Sequence, residues 1–220
     1  MESVEKIGGP SQAGPDGEPV VRARLLGPFA LTDASGRDLS ATGRKVRALL
    51  AYLILAGGRP VPRQELMTFA WADRGVEQAR ASLRQALHEA RRGLSTHAPL
   101  LVADRDCVRI DTSRLDTDLG RILAHARADR VEALVQALGA GRAPLLADLD
   151  GIDPHIDRWI AGERRRWTDQ LHAELSACLG RASGSGNADA IGQLTAFLVT
   201  LKPTPQATPA PADPAPAPPR

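Results

Sequence analysis

Cysteine is nearly absent: only Cys107 and Cys178 occur in 220 residues, far apart in sequence. That excludes a disulfide framework, and no cysteine or histidine spacing suits a structural zinc. No apolar run reaches the ~18 residues of a membrane span, and nothing resembles a signal peptide. A soluble, cytoplasmic protein with no membrane partner is expected. The phosphate-loop pattern GxxxxGK[ST] is missing, and Gly184 and Gly186 follow a helix rather than a strand, so they do not form a dinucleotide fingerprint. His125, His155 and His172 do not stand with carboxylates at ligand spacing. No nucleophile stands beside a base. The sequence therefore assigns no catalytic residue, no metal and no cofactor, and it does not read as an enzyme. Aromatics make up 3% of the chain. Phe69 and Trp71 fall at helical spacing, which assigns them to a core rather than a base-stacking platform.

Charge is present but unevenly spread. The formal net charge of +2 hides 15 Lys and Arg against 9 Asp and Glu between Pro19 and Thr112, a balance of +6. Residues 1–18 carry −3 and residues 113–220 carry −1. Positive potential gathered on one segment favours a polyanionic partner. Four regions are expected. Residues 1–18, rich in Gly, Pro, Ser and acids, read as a disordered segment. Residues 19–112 read as a DNA-binding domain and 113–202 as a helical domain. Residues 203–220, with eight prolines in 18 residues, read as a Pro/Ala-rich tail that cannot pack a core.

Within the basic segment, Val20–Leu26, Phe29–Thr32 and Arg37–Ser40 read as three short strands. Arg44–Leu55 is a helix with Val46, Leu49, Leu50, Leu53 and Ile54 as its buried stripe, stopped by Gly57-Gly58. Arg59–Pro62 reads as a turn, with Pro62 as the first residue of a second helix that buries Leu66, Met67, Phe69, Ala70 and Trp71. The third helix, Val76–Leu94, carries most of the functional signal. Val76, Ala79, Leu83, Leu87, Ala90 and Leu94 share one face at i, i+3, i+4 and i+7 steps. Arg80, Arg84, Gln85, His88, Arg91 and Arg92 occupy the neighbouring face, and Glu89 and Ser82 turn to the far side. A guanidinium can read guanine bidentately, and an amide such as Gln85 suits adenine. Leu100–Ala103 and Cys107–Ile110 then form a β-ribbon around Asp104-Arg105-Asp106. Arg105 and Arg109 could reach a phosphate from there, while Arg44, Lys45 and Arg63 would set register on the backbone. Strands, three helices and a ribbon describe a winged helix-turn-helix.

The second half reads as helical. Leu119, Ile122, Leu123 and Ala126 mark one helix, and Val131, Leu134, Val135 and Leu138 the next. Asp153-Pro154 is a helix start signal. Ile156, Trp159, Ile160, Trp167, Leu171, Leu175 and Leu179 continue that helix's stripe. Ser183–Gly186 reads as a flexible turn before a last helix, 188–201. Antiparallel pairs of this kind pack as helical repeats. The array is short, so its last pair is either covered by a partner subunit or incomplete.

LLGPFAL, GRKVRALLAYLILAGGRPVPRQELMTFAW and ARASLRQALHEARRGL resemble the N-terminal half of SARP-type regulators, bacterial antibiotic-pathway transcriptional activators with an OmpR-type winged helix. DRWIAGERRRW and GNADAIGQLTAFLVTLKP are similar to the bacterial transcriptional activation domain (BTAD) that follows it. The resemblance covers roughly residues 20–202. It implies an α+β N-terminal winged helix-turn-helix followed by an all-α, tetratricopeptide-like domain. It also implies that Arg80, Arg84, Gln85, His88, Arg91 and Arg92 lie on the recognition helix. A homodimer on promoter direct repeats, contact with RNA polymerase and a place at the nucleoid are implied as well. Two departures are visible: Cys107-Val108 stands where the family carries glycine and an aromatic, and the BTAD-like part stops early. The expectation is a sequence-specific, double-stranded-DNA-binding transcriptional activator. The alternative is a protein-interaction adaptor that works through its helical domain without DNA.

Overall fold

The computed structural model describes residues 21–41, 43–139, 143–182 and 188–201. The segments 1–18, Ser183–Gly186 and 203–220, read above as disordered, turn and tail, lie outside the described residues.

The chain opens with β1 (Val21–Arg24), which buries Val21 and Ala23 and exposes Arg22 and Arg24, the alternation its sequence dictates. β2 (Ala30–Asp33) pairs with it antiparallel, placing Ala23 opposite Leu31. The third strand of this sheet is not 37–40. That stretch makes a single bridge, Thr32 to Asp38. Two backbone bonds join it to β2, the Asp33 N–H to the Arg37 carbonyl at 3.1 Å and the Leu39 N–H to the Leu31 carbonyl at 2.8 Å. Side chains take over at its end, the Leu31 N–H donating to Ser40 Oγ at 2.9 Å and the Ser40 N–H to Asp38 Oδ1 at 2.8 Å. β1 pairs instead with β6 (Leu115–Thr117), parallel and from far along the chain.

Three helices follow β2. α1 (Arg44–Leu55) buries Val46, Leu49, Leu50, Leu53 and Ile54, and Gly57 and Gly58 after it take left-handed φ values of 65° and 87°. The glycine stop reads as expected. Pro62 differs from its expectation. Val61–Pro62 forms β3, antiparallel to β5 (Cys107–Ile110), so α2 (Arg63–Trp71) begins one residue later. Val61 is fully buried against that sheet, which holds the dipeptide extended. Lacking an N–H, Pro62 suits a strand end. With β4 (Leu101–Ala103) the wing has three strands, ordered β3-β5-β4.

α3 (Val76–Leu94) packs on α1 and α2 through Ala79, Leu83, Ala86, Leu87, Ala90 and Leu94. Val76, expected on that face, is 57% exposed.

The helical half consists of α4 (Asp118–Arg127), α5 (Val131–Gly139), α6 (Pro154–Ala182) and α7 (Ala188–Thr200). α4 packs on α5 and α6, and α7 on α5 and α6. The Thr117 hydroxyl caps α4 by accepting the Gly120 N–H at 2.9 Å. Asp153 caps α6 by accepting the His155 N–H at 3.0 Å, directly before Pro154. Ile156, Ile160, Trp167, Leu171, Leu175, Cys178 and Ala182 form the buried stripe of α6, with Trp159 and Leu179 half-buried.

The two halves share one core. Leu145, Leu146 and Leu149 are buried, and the Leu146 and Ala147 N–H groups donate to the Leu25 and Gly27 carbonyls at 2.8 Å. The Asp118 carboxylate accepts the N–H groups of Leu25, Leu26 and Leu119. The Trp159 ring of α6 lies 5.2 Å from both Tyr52, tilted to it, and Phe69, edge to face, in the winged helix.

Candidate nucleic-acid interface

α3 is a rod held by its apolar side. Its buried alanines let the neighbouring helices come close, while Leu83, Leu87 and Leu94 fill the space between them. Glu89 adds a polar tie, since its Oε1 accepts the Gly43 N–H at 2.8 Å where α1 begins. No side chain of Gly43 could supply that cap. So Glu89, placed on the far side in the sequence reading, locks the third helix to the first.

Arg80, Arg84, Gln85, His88, Arg91 and Arg92 are all exposed. Gln85, His88 and Arg92 face away from the buried stripe, and Arg80, Arg84 and Arg91 lie to one side of them. Arg80 pairs with Glu77 one turn earlier. Ahead of the helix, Arg74 Nη1 donates to Ser82 Oγ at 2.9 Å. The side chains of Arg84, Gln85, His88, Arg91 and Arg92 have no hydrogen-bond or ion-pair partner among the described residues. Gln78 and Ala81, not singled out from sequence, are exposed as well.

Arg105 stands exposed at the tip of the β4–β5 turn. That turn is tightly built: Asp104 Oδ1 accepts the N–H groups of Asp106 and Cys107 at 2.8 and 2.7 Å. Those two donors hold the Asp104 carboxyl below the usual aspartate range, with Arg63 and Arg109 adding attraction.

The other expected phosphate ligands are engaged inside the chain. Arg63 donates through Nε and Nη2 to the Asp104 carbonyl at 3.0 and 2.8 Å, fastening the wing turn to the start of α2. Arg44 Nη2 donates to the carbonyls of Asp148 and Asp150. Lys45 Nζ donates to the Ala70 carbonyl at 2.8 Å and to Asp153 Oδ2 at 3.2 Å. Arg44, Lys45 and Arg63, expected from sequence to grip phosphates, thus serve intrachain contacts in this structure. The partners of Arg44 and Lys45 lie mostly in the second half, over a hundred residues away, where local charge reading does not look. Arg47, missed from sequence, completes the set by pairing with Asp148 and donating to the Phe29 carbonyl at 3.0 Å.

Beneath α1 and α2, the Tyr52 hydroxyl donates to Glu65, which also accepts from Arg59 at 3.0 Å. Burial, then the Glu65 contact and charge, push the Tyr52 hydroxyl up to about 12. It therefore remains a neutral donor in this aromatic cluster.

No protein-family model matches the chain. Transcriptional regulatory protein EmbR of Mycobacterium bovis and of Mycobacterium tuberculosis is 30% identical over 178 residues, 72% of this chain and 45% of the relative. The chain thus spans less than half the length of the curated relatives it matches. A solved structure, Mycobacterium tuberculosis EmbR in complex with low affinity phosphopeptide, superposes with a TM-score of 0.50 at 21% identity, over 85% of this chain and 67% of that one. Its likeness bears on the fold: a winged helix joined to a helical domain. The sequence match is thus to transcriptional regulatory proteins, and the structural match is to the fold of one of them.

Proposed function

We propose that the chain is a sequence-specific, double-stranded-DNA-binding transcriptional activator of SARP type, with residues 19–112 as the DNA-binding unit and 113–202 as the activation domain. One observation carries this reading: α3 is buried along one side, while all six of its expected contact residues stand exposed around the rest of its surface. A rigid rod with that division fits the major groove, which admits an α-helix. The name of the relatives, transcriptional regulatory protein, agrees with it. Arg105 reaches a phosphate from the wing. The protein acts in the bacterial cytoplasm at the nucleoid, as a homodimer on direct repeats, and contacts RNA polymerase. No helix among the described residues is long and apolar enough to cross a membrane. Nothing in this role requires turnover, a metal or a cofactor.

Selection of genomic fragments by the purified full chain tests the proposal. Fragments sharing a repeated motif, bound with an affinity that falls steeply as salt rises, are expected. Equal affinity for selected and random DNA would refute base reading. The adaptor reading has one observation on its side: Val199 of α7 is 75% exposed, so the helical half keeps apolar surface. Failure to bind any DNA at low salt, together with capture of a protein partner, would favour the adaptor.

A further inference from the structure

The buried residues of α3 fix which way the helix faces. Ala79, Leu83, Ala86, Leu87, Ala90 and Leu94 point into the body. At about 100° per residue, the opposite direction is taken by Gln78, Ala81, Gln85, His88 and Arg92. These succeed one another at steps of three, four, three and four, so they form a straight row along the axis. All five are exposed. The other arginines lie off that row: Arg84, Arg91 and Arg80 are displaced roughly 80–120° around the helix from its centre. Arg80 is further tied to Glu77.

The N-terminal part of the row is open and uncommitted. An open groove of about 450 Å³ runs beside it, lined in part by Trp71, Arg74, Gln78, Ala81, Ser82 and Gln85. Gln78 and Gln85 have no hydrogen-bond partner among the described residues. Ala81 between them presents a bare methyl group, which lets the helix approach base edges closely.

We infer that Gln78, Ala81 and Gln85, rather than Arg80, Arg84 and Arg91, read the bases, and that they select A·T pairs; this rests on the DNA reading proposed above. Each amide can donate to adenine N7 and accept from adenine N6–H₂, and the Ala81 methyl packs on a thymine 5-methyl. Gln78 and Gln85 are seven residues apart, about 10.5 Å along the axis at 1.5 Å per residue. That matches about three base-pair steps of ~3.4 Å. The half-site therefore carries two A·T pairs three steps apart with a thymine methyl between them. Arg80, Arg84 and Arg91 take the phosphates of one strand.

The test uses the full chain and duplexes selected from a random-sequence library. Affinities are measured for wild type, Gln78→Ala, Gln85→Ala and Arg84→Ala, with 7-deazaadenine in place of each adenine in turn and uracil in place of the intervening thymine. Circular dichroism checks that the exposed substitutions leave the fold intact. Gln85→Ala should weaken binding to the selected site about 5- to 150-fold. The 7-deaza change at its adenine should weaken wild type and leave Gln85→Ala unaffected, with Gln78→Ala behaving likewise at the second adenine. Uracil should weaken wild type by a smaller factor. A reproducible selected site without two A·T pairs at that spacing would overturn the inference and leave DNA reading intact. So would 7-deaza effects that persist unchanged in both glutamine variants. If selection enriches no sequence at all, the DNA reading itself fails, and this inference with it.

Discussion

Arg84 and Gln85 are adjacent in sequence, yet on α3 they serve different surfaces. The amide faces directly away from the core, whereas the guanidinium lies to one side. Arg84→Ala should therefore weaken binding to selected and random DNA by the same factor. It should also flatten the dependence of log K on log salt by about 0.9, the slope expected for one lost phosphate contact. Anisotropy titrations at several salt concentrations measure both. A changed base preference with an unchanged slope would make Arg84 a base reader instead. In the wing, Asp104 holds its turn only as a carboxylate, because it accepts two backbone N–H groups. Its folded-state affinity for a proton is depressed. The turn's contribution to stability is thus present above the ordinary aspartate range and is lost as pH falls through the lowered value. The amide resonances of Asp106 and Cys107 should move together in an acid titration with a midpoint below that of an unstructured aspartate; a midpoint at or above it would contradict the capped turn. Exposure of the α3 polar residues was legible from a 3.6-residue period alone. The fate of Lys45 was not, because its partner Asp153 lies 108 residues away. A charge read locally looks solvated or phosphate-seeking until the fold supplies a neighbour.

At the scale of elements, α3 performs its role only as a firmly seated rod. Leu83 is 1% exposed at the centre of its buried stripe. Leu83→Ala should cost about 2–5 kcal/mol, the usual penalty for emptying a leucine site in a core. Chemical denaturation would show a lower midpoint with an unchanged m-value. DNA affinity measured well below the melting temperature should change far less than stability, since Leu83 never faces the groove. A selective loss of DNA binding at unchanged stability would place Leu83 in the interface and reverse the orientation of the helix. Helices such as α1, α3 and α6 announce themselves through periodicity and local stop signals, as Gly57-Gly58 and Asp153-Pro154 do. Strand partnership does not. β1 carries a clear alternation, but nothing in it names Leu115–Thr117 as its parallel neighbour. The candidate strand 37–40 is cut short to one bridge: past the Asp33–Arg37 and Leu39–Leu31 backbone bonds, the Ser40 hydroxyl takes the Leu31 N–H and the Asp38 carboxylate the Ser40 N–H. Val61–Pro62 looked like part of a turn because its pairing with Cys107 and Val108 is invisible without the wing.

At the scale of the whole molecule, the winged helix and the helical half are not beads on a linker. Asp148 sits at their joint, accepting the Phe29 N–H at 2.7 Å on one oxygen and pairing with Arg47 through the other. Arg164 reaches the same segment, donating to the Leu145 carbonyl at 2.8 Å and pairing with Asp150 at 2.9 Å. Below these polar ties lie Leu145, Leu146, Leu149 and the Tyr52–Phe69–Trp159 cluster. Apolar burial of this extent couples the two halves, so calorimetry should record one unfolding transition. Asp148→Ala removes the partner of a partly buried guanidinium and the acceptor of a backbone N–H together. Each such bond to a charged group is worth about 1.5–3 kcal/mol, so a loss of roughly 3 kcal/mol is expected. The transition should shift down yet remain single, because the leucines and the aromatic cluster still join the halves. Two separate transitions in the wild type would mean that the halves fold independently. Two transitions only in Asp148→Ala would mean that the carboxylate, rather than the apolar joint beneath it, holds the DNA-binding and helical halves in register.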